Sequence, residues 1–201
     1  MDRLTLKSMA KEQISGNIGV LFVCFLIISI LTGIAAVIPG VGSIAALAVS
    51  APLEIGLITI FAKLKCGYPP KVEELFKHFD CFAQALLLYI LIALFTALWT
   101  LLFIIPGIVA SLSYSMAPYI LAENKNLTAM EALNMSKQIM NGHKADLFVL
   151  YLSFIGWGIL VSITCGLAGI YVFPYVEATI YNFYDSIKGY TNIDSGQVYD
   201  A

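Results

Sequence analysis

Charge is what this sequence holds least of. Asp, Glu, Lys and Arg make up 12% of its 201 residues, about half the share of a soluble domain. Hydrophobic residues make up 60%, and the mean hydropathy is +0.87. A chain this short cannot hide so much apolar surface in one water-soluble core. An ordinary soluble globule is therefore excluded, and a bilayer must be part of the solvent. The net charge of −2 leaves no basic field for nucleic acid. Cysteine is scarce too. Cys24, Cys66, Cys81 and Cys165 stand apart with no C-x-x-C pair, which argues against a disulfide framework or a zinc site. His78 and His143 are separated by a whole hairpin and show no ligand spacing, so no metal is expected. H-E-x-x-H, G-x-S-x-G, a Walker loop and the dinucleotide fingerprint are all missing. The expectation is a non-enzymatic protein with no catalytic residue and no cofactor.

What is present is a set of long apolar runs. The first follows Arg3, Lys7 and Lys11 and extends over 18–38. That is long for the apolar region of a signal peptide, so an uncleaved span is the better reading. Further spans read at 44–62, 83–105, 108–122, 147–165 and 170–184. Uncharged turns join them in pairs at Pro39–Ser43, Pro106-Gly107 and Cys165–Gly169. The fold expected is all-α: a polytopic bundle of six transmembrane helices arranged as three hairpins.

A short amphipathic stretch precedes each pair. Residues 4–16 place Leu6, Met9, Ala10 and Ile14 on one helical face. Residues 71–82 place Val72, Leu75, Phe76 and Phe79 together at α-helical spacing. Residues 128–141 open on Thr128-x-x-Glu131, a capping box, with Ala129, Ala132, Leu133, Ser136 and Met140 as the apolar side. These stretches read as helices lying flat at the cytosolic interface. The order amphipathic helix, span, turn, proline-broken span recurs roughly every 60 residues. A single membrane domain over 1–201 then divides into repeats at about 1–65, 66–124 and 125–190, with a disordered tail at about 190–201. All 11 Lys and Arg fall on one side of this arrangement, so the positive-inside rule puts both termini in the cytoplasm.

From Pro106 onward the sequence carries a recognisable series: Ile105-Pro106-Gly107-Ile108, SYSMAPYILAEN at 113–124, EAL..SK..M.GHK at 131–144, LF.L.LSFIGW at 147–157, and the Pro174-Tyr175 pair. It resembles the bacterial integral membrane family catalogued as domain of unknown function 975. The resemblance is strong over about two thirds of the chain and loose over the N-terminal third. It implies a multi-pass protein of a bacterial cell membrane and implies no activity.

Glu54 and Glu177 are the sharpest functional candidates. Each lies within an apolar span and follows a proline, Pro52 and Pro174. An intramembrane carboxylate is costly and commonly marks an ion or proton path, or else locks helices together. Pro52, Pro118 and Pro174 each free the carbonyl four residues earlier, at Ala48, Tyr114 and Ile170. Free carbonyls beside an acid can hold a cation. The middle unit has no acid beside Pro118, and Glu123 lies at the membrane edge, which argues against a strict three-fold ion site. Ser111, Tyr114 and Ser115 make the fourth span polar, suiting interhelical hydrogen bonds or a polar path. Gly158, Ser162 and Gly166 recur at four-residue spacing, a small-residue packing face. Lys137, His143 and Lys144 form a basic rim that sets topology or holds anionic lipid headgroups. Two readings follow. One is a protein that binds or organises lipid or a membrane partner, including a second copy of itself. The other is a transporter of a small solute, coupled to protons or ions through Glu54 and Glu177.

Overall fold

The computed structural model describes residues 3–189; the tail expected at 190–201 lies outside them. The described residues form α-helices and one 3-10 segment. In chain order these are α1 (Arg3–Ile14), α2 (Ile18–Ala36), α3 (Gly42–Lys65), the 3-10 segment Val72–Cys81, α4 (Phe82–Leu102), α5 (Ile104–Tyr114), α6 (Ala117–Glu123), α7 (Ala129–Ile139), α8 (Lys144–Leu152), α9 (Ile155–Ile163) and α10 (Gly169–Lys188). Five stretches are long and apolar enough to cross a membrane: Ile18–Ala36, Gly42–Lys65, Val72–Leu102, Ile104–Glu123 and Lys144–Ile163. That number marks a multi-pass membrane protein.

The sixth expected span, α10, is not among the five. Tyr171, Tyr175, Tyr181, Asn182, Glu177 and Asp185 dilute its apolar content. The helix accommodates them because it is shielded by protein: it packs on α1, α2 and α3, with α9 beside it. A helix surrounded by protein need not be apolar on every side.

The helices divide into two kinds. In α2, α4 and the α8–α9 pair only 17%, 11% and 17% of the apolar stretch is buried, against 56% in α3 and 56% in α5–α6. The first set is peripheral and presents Leu, Ile, Val and Phe outward. The second set, with α10, is central. Each central segment carries one of the three prolines.

The turns depart from expectation in detail. Pro106-Gly107 is not the turn. The break is the single residue Phe103, extended at φ −158° and ψ 145°, and Pro106 sits in the first turn of α5, where a missing N–H breaks no helical bond. The following stretch starts at Ile104, earlier than the expected 108, and is broken at Ser115–Met116 into α5 and α6. The expected span 147–165 begins at Lys144 and is interrupted at Ser153-Phe154. Gly107 lets α5 lie directly on α4, because a Cβ there would meet Thr100 Cα at 2.8 Å.

All three amphipathic stretches are present, but their apolar faces are covered by protein. Leu6, Ala10 and Ile14 of α1 are buried against α10. Ala129, Ala132, Leu133, Ser136 and Ile139 of α7 are buried against α4, α5 and α6. The Thr128–Glu131 capping box forms as expected. The middle stretch corrects the expected face. It is a 3-10 helix, with three residues per turn, so the buried set is Leu75, His78 and Cys81, together with Glu74. Phe76 and Phe79 face outward. Its Leu75 backbone lies against Gly56 of α3, where a Cβ would come within 2.5 Å of the Leu75 carbonyl oxygen.

Candidate functional site

The proline in α3 is followed two residues later by Glu54, and the one in α10 three residues later by Glu177. Leu57 and Ile58 lie one turn beyond Glu54 on the same face of α3. Together with Phe25 and Ile28 of α2, Tyr89 of α4, Pro118 and Tyr119 of α6, and Glu177 of α10, they line one cavity of about 370 Å³. Two acids 123 positions apart in sequence therefore meet in one chamber, to which α2, α3, α4, α6 and α10 each contribute a wall. Tyr119 donates its hydroxyl to Glu177 Oε1 at 2.8 Å, and Tyr89 lines the same cavity as Glu54. Among the described residues no Lys, Arg or His lines the cavity. Both acids are half-buried, because they border this space.

The third proline works differently. Pro118 is at the second position of α6, just past the break. Ser136 of α7 repairs that break from outside: its hydroxyl donates to the Ser113 carbonyl at 2.7 Å and accepts from the Met116 N–H at 3.2 Å. Both backbone groups exposed by the interruption are thus satisfied.

Glu123 does not reach the cavity. It is buried near the end of α6, where it accepts from Tyr181 at 3.1 Å, Tyr184 at 2.9 Å and Lys188 at 2.6 Å. Lys188 also pairs with Asp185 at 2.9 Å, and Asp185 with Lys65 of α3. This cluster ties α6, α10 and α3 together. The Tyr119 ring lies between the cluster and the cavity, 5.5 Å from the Tyr184 ring and 6.4 Å from that of Tyr181.

The remaining candidates scatter. Ser111 and Ser115 turn back onto their own helix, donating to the Ile108 and Leu112 carbonyls at 2.8 Å each. Both bonds stay within the serine's own helical turn. Tyr114 is buried beneath Lys137, whose ammonium sits 5.3 Å from its ring centroid. Lys137 and Lys144 border a second depression, on the α5 side of the bundle. His143 does not line it and faces Asp146 at 3.5 Å. Gly158, Ser162 and Gly166 are exposed, and nothing lies within 4 Å of a Cβ placed at either glycine. The expected packing face is thus unused within this chain, because α9 leans outward with no buried residue. Among the described residues no cluster of three or more His, Cys, Asp or Glu could hold a metal ion.

The family model described as "Protein of unknown function (DUF975)" matches residues 1–113 and again 101–191. The chain belongs to this family. The resemblance read from Pro106 onward therefore extends through the loosely matching N-terminal third as well. No curated protein and no solved structure matches the chain. The family description carries no activity, so the cavity's own chemistry must supply the functional argument.

Tyr89 and Tyr119 are the site residues that sequence reasoning passed over. Tyr119 adjoins Pro118, as Tyr175 adjoins Pro174. A polar hydroxyl beside an intramembrane proline was a readable signal. Tyr89, alone in the uncharged run 83–102, was readable only as an oddity.

Proposed function

We propose that the Glu54–Glu177 cavity takes up a proton or a small cation, and that the protein is a multi-pass, non-enzymatic transporter of a small solute coupled to that ion. The single observation supporting this is the meeting of two carboxylates in a cavity lined, among the described residues, by no basic side chain. Buried charge must be paired or neutralised, and here the balancing charge has to come from outside the chain. The Tyr119 hydroxyl holds the Glu177 carboxylate in place without cancelling its charge. Intramembrane acids facing one another within a bundle commonly mark ion paths, and they do so here on helices that run unbroken through Pro52 and Pro174, where broken spans were expected.

The six-span topology belongs to the same proposal. In it α10 crosses the membrane over 170–184, both termini are cytoplasmic, and the basic residues face the cytoplasm of a bacterial cell. The alternative of flat-lying amphipathic helices that organise lipid loses support, because the apolar faces of α1 and α7 are covered by the bundle.

The test is ion flux. Purified protein is placed in liposomes carrying a pH-sensitive dye, and proton and Na⁺ gradients are imposed separately. Relaxation of one gradient by the wild type, lost in both Glu54→Gln and Glu177→Gln, is the expected result. A wild type that relaxes neither gradient removes the transport reading.

A further inference from the structure

A second depression, of about 550 Å³, lies on the other side of α5 from the acid cavity. Its long wall is apolar: Pro106, Val109 and Ala110 of α5, with Trp99 of α4 facing them. Trp99 and Val109 are open to the surroundings of the bundle, at 47% and 43% exposure. One end is polar and cationic. Lys137 and Lys144 line it, with the amides of Gln138 and Asn141 between them. Lys137 does not swing free. Its ammonium is held 5.3 Å from the Tyr114 ring centroid and 5.9 Å from that of Phe95, an arrangement that fixes a cation without neutralising it. Neither lysine makes an ion pair among the described residues. The nearby acid Asp146 is engaged with His143 and does not line the space. The other lysines with partners at this end of the fold behave differently: Lys63 and Lys77 share Glu74 at 3.0 Å each.

We propose that this depression is a binding site for one anionic phospholipid. The phosphate would sit between Lys137 and Lys144, and an acyl chain would run along α5 toward Trp99. Two unpaired cations at one end of an apolar, outward-open groove match a molecule with one anionic end and one hydrocarbon end. A soluble anion would use only the lysine end and leave the apolar wall bare. The two amides can donate to the non-bridging oxygens beside the ammonium groups. The site is independent of the Glu54–Glu177 cavity: the two share no lining residue, so either can fail without the other.

Trp99 makes the site testable, because the protein's other tryptophan, Trp157, packs away from the groove against Tyr171 and Tyr175. In a Trp157→Phe background, Trp99 fluorescence is followed in neutral phosphatidylcholine nanodiscs doped with small equal fractions of acyl-brominated phosphatidylglycerol or acyl-brominated phosphatidylcholine. The expected result is a preference for the anionic quencher of roughly thirtyfold from two lysines. It should vanish in Lys137→Gln/Lys144→Gln and persist in excess soluble glycerol phosphate. Equal quenching by the two lipids overturns the proposal, as does a preference that survives the double substitution. Displacement by glycerol phosphate would assign the lysines to a soluble anion and overturn it as well. As a second measurement on the unaltered chain, phosphatidylglycerol retained after mixed-micelle purification should fall in the lysine variant, and unchanged retention counts against the site.

Discussion

Helices α2 and α3 form one hairpin, yet they obey different rules. In α2 no charged residue occurs, only three residues are buried, and a Cβ at Gly33 would touch nothing. In α3 a proline lies inside the helix, Glu54 borders a cavity, Thr59 bonds His78 at 3.2 Å, and a Cβ at Gly56 would strike backbone. The same contrast separates α4 from α5–α6, and α9 from α10. A peripheral helix has only to be apolar and long enough, because hydrocarbon makes no specific demand on a side chain. A central helix meets defined neighbours, so each position carries a particular requirement. Polarity, proline and tyrosine collect where protein can satisfy them.

The contrast is broken most directly at Glu123. Glu123→Ala removes one acceptor from Lys188, which keeps Asp185 at 2.9 Å, and one from each of two tyrosine hydroxyls. A loss on the order of 1–3 kcal/mol is expected for lost charge-assisted hydrogen bonds in a buried cluster, read as a clear drop in unfolding temperature in detergent. A change as small as that of a peripheral substitution such as Leu98→Ala would erase the distinction.

A comparable effect comes from paired glycines. Gly56→Ala forces the added methyl against the Leu75 backbone and should cost about 1–3 kcal/mol. Gly33→Ala should be neutral or slightly stabilising. Equal thermal stability of the two variants would show that α3 and the 3-10 segment are not in firm contact.

The smallest effect lies at the α7 cap. The Thr128 backbone N–H and hydroxyl hold the Glu131 carboxyl below the usual carboxylate range. A depressed folded value contributes stability that is present above the unfolded value and is lost as pH falls through the folded one. Thr128→Ala should lower the unfolding temperature slightly at neutral pH and weaken this acid sensitivity, leaving the part that comes from the backbone N–H of residue 128. A thermal profile unchanged from pH 7 down to the acid limb would show that the cap does not stabilise the central break next to α7.

The peripheral helices were almost fully legible in sequence, because their only requirement is composition. Runs at 18–38 and 83–105 became α2 and α4 within a few residues. The Thr128–Glu131 box was legible because both partners lie within one turn. The central helices were legible only in part. Pro52 and Pro174 marked the acids, but nothing local showed that Glu54 and Glu177 share a chamber, since that depends on how α3 and α10 pack. Helix α10 failed the simple apolar criterion for the reason that makes it central: protein covers its polar residues. The 3-10 phase of Val72–Cys81 was hidden because three and 3.6 residues per turn differ little over ten residues. The breaks at Phe103 and at Ser153-Phe154 occur at residues with no turn signature, so tertiary packing decided them.

Helix α6 is only seven residues long, yet it is fastened to α10 at two levels, through Tyr119 to Glu177 and through Glu123 to Tyr181, Tyr184 and Lys188. Its covalent link to α5 is an interrupted elbow held by one serine hydroxyl. Mechanically, the end of the α5–α6 stretch farthest from the Phe103 break is grafted onto α10. When α10 tilts it should carry α6 along as cargo while α5 stays with α4, so the chamber's floor and its ceiling answer to different levers.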